Sequence, residues 1–145
     1  VKMKIAVVIP QISEAATEDY STLHINEISS IDDASCDDLF LGDCLDYIST
    51  EKQDLIDMAC SKIKYGGRLV VIGSDLQEIC KAKSSGAINE ERANSMLYSG
   101  RTGLFSAMTL VHAITQKGLR SSSRALNGFK YTLTFERPKP DENIM

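Results

Sequence analysis

Two groups of polar residues have the types and spacing to do chemistry. Asp32 and Asp33 are adjacent in Ile31-Asp32-Asp33-Ala34-Ser35. Paired carboxylates at a strand end can accept hydrogen bonds from a ribose or an adenine; the structural alternative is a solvated turn in which each Asp bonds its own backbone. Asp43 and Tyr47 follow an apolar run that stops at Gly42. A carboxylate there can orient a nucleophile or take its proton, or it can simply cap a short helix while Tyr47 packs. His24 and His112 are the only histidines, and each is expected to be partly buried and hydrogen-bonded. Cys36, Cys44, Cys60 and Cys80 contain no CxxC pair and have no histidine close by, so no metal site is expected. Cys44 shares the Asp43 loop, where nothing would lower its pKa.

Charge narrows the class of partner. Residues 1–57 carry 13 acids and 3 bases, and residues 58–145 carry 7 acids and 13 bases, a split of −10 and +6. The bases are scattered, so no nucleic-acid partner is indicated. The complementary halves allow self-association into a homo-oligomer, and solvated faces are the favoured alternative. No run reaches the ~20 apolar residues needed to span a bilayer, so no membrane partner is expected. The opening apolar run is too short for a secretory leader, which makes a cytoplasmic location the default.

The elements that must position these residues follow from periodicity. Residues 4–9 (KIAVVI) are continuously apolar, as in a strand buried on both faces, and Pro10 stops them. Residues 13–20 fit a short helix with Ser13 as N-cap, 22–25 a short strand, 29–35 a polar turn, and 38–41 (DLFL) another strand. Thr50-Glu51-Lys52-Gln53 fits a capping box opening a helix over 50–64, with Leu55, Ile56, Ala59, Cys60 and Ile63 as its apolar stripe. Gly66 or Gly67 is expected to close that helix before the strand 68–73.

Further on, 75–82 predicts a helix starting near Asp75. The stretch 83–102, which holds Arg92, Tyr98 and Arg101, predicts a long excursion with a helical turn at 89–97 that could serve as a lid or a recognition insert. Thr102 is expected to cap a helix over 103–116 with Leu104, Ala107, Met108, Val111 and Ile114 inward. Asn127-Gly128 is the preferred pair for a type I′ hairpin turn, and Tyr131, Leu133 and Phe135 then alternate as one buried face. One domain over 1–138 is expected, with a flexible tail at 139–145.

Three stretches, taken in order, carry a family resemblance. Ile31–Leu39 looks like a loop into a fourth strand. Gly42-Asp43-Cys44-Leu45-Asp46-Tyr47-Ile48 looks like the segment after it. Lys64-Tyr65-Gly66-Gly67-Arg68-Leu69-Val70-Val71 looks like the "LKPGGxLxV" step into a fifth strand, and the closing hairpin fits strands six and seven. In this the chain resembles the class I S-adenosylmethionine-dependent methyltransferases. The resemblance implies an α/β, Rossmann-like, mostly parallel sheet with a C-terminal antiparallel hairpin, and S-adenosylmethionine as cofactor. It implies cofactor contacts from Pro10, Gln11, Asp32, Asp33 and Gly42, and Asp43 and Tyr47 as catalytic residues facing a small-molecule acceptor whose identity is unknown.

The family's glycine-rich loop after strand one is missing, because no glycine precedes Gly42. The stretch between the first two strands is also too short for the family's full set of elements. A non-catalytic binding or structural module on the same sheet is therefore the alternative reading. A second alternative rests on Val7-Val8-Ile9-Pro10 and Asp32-Asp33-Ala34-Ser35, which resemble nucleotide-sugar glycosyltransferase motifs at narrower spacing.

Overall fold

The continuous apolar run near the start forms β1 (Lys4–Val8), and it needs neighbours on both sides. It finds β2 (Ser21–His24) on one side and β3 (Cys36–Gly42) on the other, both parallel to it. β3 pairs in parallel with β4 (Ile63–Ser74). β6 (Lys130–Glu136) then runs antiparallel to β4, and β5 (Arg120–Asn127) antiparallel to β6. The sheet order is β2-β1-β3-β4-β6-β5. It is a mixed sheet, parallel over its first four strands and antiparallel in its closing hairpin. The computed structural model describes residues 3–8, 20–42, 52–98 and 104–140.

Period-two alternation places Val7, Leu39, Leu41, Leu69, Val71, Tyr131, Leu133 and Phe135 in one buried cluster. Two helices cover that face. α1 (Lys52–Lys62) contributes Leu55, Ile56, Ala59 and Cys60, and the later helix Ala107–Thr115 contributes Leu110 and Ile114. Each fully buried leucine or isoleucine here contributes about 1.5–3 kcal/mol. Residues 25–30, on the edge of the stretch expected to be a polar turn, form a 3-10 helix that sends Ile28 into the same core, and Ile31 follows it.

The double glycine works differently from a helix cap. α1 ends at Lys62 and the chain enters β4 directly at Ile63. Gly66 and Gly67 lie inside the strand, where the register jumps from Cys36↔Ile63 to Asp38↔Arg68. Gly66 takes φ +81°. Its N–H donates to the Arg137 carbonyl at 2.7 Å, and the Arg137 N–H donates to the Gly67 carbonyl at 3.0 Å. A Cβ on Gly67 would sit 2.6 Å from the Cys36 carbonyl oxygen. The pair therefore forms a bulge that lets two strands and the chain after β6 meet.

The hairpin turn sits one residue later than its sequence predicts. Asn127 pairs with Lys130, so Gly128 and Phe129 form the two-residue loop. Gly128 has φ +64°, and Ala34 is the only non-glycine with positive φ among the described residues. That is the type II′ pattern, with glycine first.

Between β4 and β5 the chain forms α2 (Leu76–Ser85), α3 (Glu90–Tyr98) and α4 (Ala107–Thr115). α4 begins after Ser106, and the Thr102 cap lies outside the described residues. Leu110 and Ile114 face the core, whereas Met108 is 57% exposed. Its sulfur instead meets the Arg124 guanidinium on β5 at 3.2 Å. Residues 13–19 of the helix expected at 13–20, the Thr50–Glu51 part of the capping box and the end of the tail also lie outside the described residues.

Candidate functional site at the carboxyl edge of the sheet

In an open parallel sheet, ligands bind beyond the carboxyl ends of the strands, at the point where successive connections leave in opposite directions. Here the chain steps from β1 outward to β2, then crosses back past β1 to β3. The crevice therefore opens between the ends of β1 and β3, where Val7 is in register with Leu41. Gly42 ends β3 at this spot. Its φ is not positive, so its value is steric: a Cβ would come within 2.8 Å of the Phe40 ring. The Phe40 ring thus leans along β3 toward the carboxyl edge; the Tyr20 ring, 6.1 Å away and tilted by 54°, precedes β2 and stands on the amino side, 6.0 Å from the Lys4 ammonium.

One strand further along the edge, Asp75 follows β4 and is 5% exposed. Its Oδ1 accepts from the Gln77 N–H at 2.8 Å and the Glu78 N–H at 3.2 Å, capping α2. Its Oδ2 accepts from the Ala107 N–H at 3.2 Å, at the start of α4. The positive ends of two helix dipoles thus face one buried carboxylate, and this offsets its desolvation. The Asp75 N–H donates to the Phe129 carbonyl at 2.7 Å, which ties in the hairpin turn.

Solved structures were compared with this arrangement. No family model and no curated protein sequence matches the chain. An O-methyltransferase family protein from Burkholderia thailandensis superposes with a TM-score of 0.60 at 15% identity, over 83% of this chain and 36% of that one. An S-adenosylmethionine-dependent methyltransferase from Mesorhizobium loti gives 0.59 at 11% identity, over 81% of this chain and 69% of that one. A methyltransferase from Thermotoga maritima, described as a possible histamine N-methyltransferase, gives 0.54 at 14% identity, over 81% and 63%. The chain has a class I methyltransferase-like fold. It spans 36% to 69% of the lengths of these three proteins.

Within the methyltransferase-like sheet, the residues picked out by sequence fall into three sets. Gly42 lies at the crevice. Pro10 and Gln11, which follow β1 in sequence, and Asp43 and Tyr47, which follow β3, lie outside the described residues, as do Cys44 and Arg101. Asp32 and Asp33 lie at the opposite edge. They precede β3, whose seven residues span about 20 Å.

The Asp32–Ser35 turn has a structural task at that amino edge. The Ala34 N–H donates to the Ser61 carbonyl at 2.9 Å and the Ser35 N–H to the Lys62 carbonyl at 3.0 Å, so the turn satisfies the C-terminal end of α1. These bonds offset the cost of placing Ala34 at φ 55°. Asp33 Oδ1 meets the Lys62 ammonium at 2.9 Å, and that hydrogen bond and charge hold the Asp33 carboxyl below its ordinary pKa. The structure therefore does not bring Asp32 and Asp33 to the ligand edge.

A cleft of about 370 Å³ opens beside this turn, lined by Asp33, Asp57, Cys60, Lys117 and Arg137 among others. Its charges are already satisfied. Asp57 meets Lys117 at 3.0 Å, and Arg137 donates to the Ile63 carbonyl at 2.8 Å while lying 4.1 Å from the centre of the Tyr65 ring. Burial pushes the Cys60 thiol up to about 12. It raises Cys36 too, so both are inert packed thiols. Among the described residues no cluster of three or more His, Cys, Asp or Glu could hold a metal, and no helix is long and apolar enough to cross a membrane. His112 is exposed rather than partly buried, and its ring shares a hydrogen bond with Gln116 Nε2 at 3.0 Å.

Sequence reasoning saw Asp75 as a helix start and missed its second bond to α4. The signal was faint: a Ser-Asp pair directly after an apolar strand. Neither Gly66 nor Gly67 closes the helix as expected; the constraint on Gly67 is a contact with β3, distant in sequence.

Proposed function

We propose that the chain is the ligand-binding sheet of an S-adenosylmethionine-dependent methyltransferase acting on a small-molecule acceptor. The observation that carries this reading is the switch point between β1 and β3 in a sheet closed by the antiparallel β6. The described part of the crevice fits an adenosyl ligand. Gly42 keeps the end of β3 free of side chain, and the Phe40 ring beside it offers an aromatic surface for a purine. Pro10 and Gln11 would line the cofactor after β1. The bound sulfonium would supply both the methyl group and the leaving group, so positioning carries most of the rate. Asp43 would orient the acceptor or take its proton, and Tyr47 would shape the same mouth. Asp32 and Asp33 take no part.

A second reading, a binding or structural module, has its own support. In the family pattern a glycine-rich loop follows the first strand, and the run 9–35 between β1 and β3 holds no glycine. Among the described residues the short β2 is an edge strand, which a second copy of the chain could cover.

Calorimetric titration with S-adenosylmethionine and S-adenosylhomocysteine separates the two. The enzyme reading expects micromolar binding that Gly42→Val weakens by crowding the Phe40 ring. Absence of heat at millimolar ligand leaves the module.

A further inference from the structure

The α2–α3 hairpin is built as a separate body. Ile79, Ile88 and Ala93 form their own buried cluster with Ala82, Met96 and Leu97, distinct from the sheet core. The hairpin closes its own ends. Gly86, at φ +82°, ends α2, and the Ala87 N–H donates to the Ala82 carbonyl at 2.9 Å. At the start of α3, Asn89 Oδ1 accepts from the Arg92 N–H at 2.8 Å. Among the described residues, Leu104 and Phe129 link this cluster to the rest of the molecule. The polar bonds at its root converge on two residues, Asp75 as described and Leu76, whose N–H donates to the Phe105 carbonyl at 3.1 Å.

We infer that α2–α3 is a hinged cover that opens from the carboxyl edge as one cooperative unit while the sheet stays folded. A body with its own core and its own caps loses little by parting from the sheet; among the described contacts it loses those of Leu104 and Phe129, the Leu76–Phe105 bond and the Asp75 latch. The latch stands at the end of β4, on the edge where open α/β sheets take ligands, so opening changes access to that edge. The inference goes beyond the methyl-transfer reading and does not rest on it, because no ligand enters its test.

Hydrogen exchange followed by mass spectrometry on the 145-residue chain provides that test. Amides of residues 76–98 should exchange together, at least about tenfold faster than those of β4 and β6. Asp75→Asn should accelerate residues 76–98 by about a further tenfold and keep them ahead of β4 and β6. Ile88→Ala, which loosens only the small core, should do the same and serves if Asp75→Asn fails to fold. Exchange of residues 76–98 in step with β4 and β6, or no acceleration of residues 76–98 by either folded variant, overturns the inference.

Discussion

The two edges of the sheet differ in how their polar groups are used. At the amino edge charges are numerous and already paired: Asp33 with Lys62, Asp57 with Lys117, Asp38 with Arg68 at 2.7 Å, and Asp37 with Lys64. These pairs, with the tight Gly67–Cys36 approach, fasten helix ends and strand starts together. At the carboxyl edge the described residues offer a bare glycine, the Phe40 ring and one carboxylate occupied by two helix ends. Among the described residues, paired charge thus marks the structural edge, and backbone topology marks the candidate ligand edge.

The largest expected effects fall on the packing that both edges share. Phe135→Ala empties a fully buried site and should cost about 3–5 kcal/mol in denaturant unfolding. Equal stability would mean that β6 does not anchor the sheet. Gly67→Val forces a side chain against a backbone carbonyl and should cost about 3 kcal/mol or prevent folding. A mild effect would show that the amino edge can give way. Asp75→Ala leaves buried N–H groups of two helices without their acceptor and should cost about 2–3 kcal/mol.

A pH series probes the amino-edge cleft. The unfolded Cys60 thiol titrates near its ordinary 9.0 and the folded one near about 12. Below pH 9 both states are protonated, so the thiol leaves stability unchanged. Above it only the unfolded state loses its proton, and stability falls as pH rises. Cys60→Ala should remove that alkaline loss; its persistence would assign the loss elsewhere. Asp33→Ala should have the smallest effect. Its carboxylate is exposed, and the favourable pairing it makes with Lys62 exists at neutral pH and fades as the acid protonates. Its melting temperature should match the parent within error.

Legibility of the sequence followed the range of the forces involved. The alternation Tyr131, Leu133, Phe135 and the stripe Leu55, Ile56, Ala59, Cys60 are local patterns, and both face the core as read. The helix over 75–82 appears as the longer α2, and the helical turn at 89–97 as α3, shifted by one residue. Features fixed by distant partners were misread. Gly66–Gly67 answers to β3 and to the chain after β6, Met108 turns outward toward Arg124, and the hairpin loop shifts so that Asn127 can pair with Lys130. The Asp32–Asp33 pair looked chemical because two adjacent carboxylates do not reveal which end of a strand they flank. The C-terminal end of α1, which they serve, is equally silent in sequence.

Photo-crosslinking with radiolabelled S-adenosylmethionine, followed by peptide mapping, tests the central claim most directly. Label on peptides covering Ile5–Gln11 or Phe40–Tyr47 is the predicted result and places the ligand at the carboxyl ends of β1 and β3. Label on the Ser30–Cys36 peptide would put the ligand at the amino edge and contradict the account.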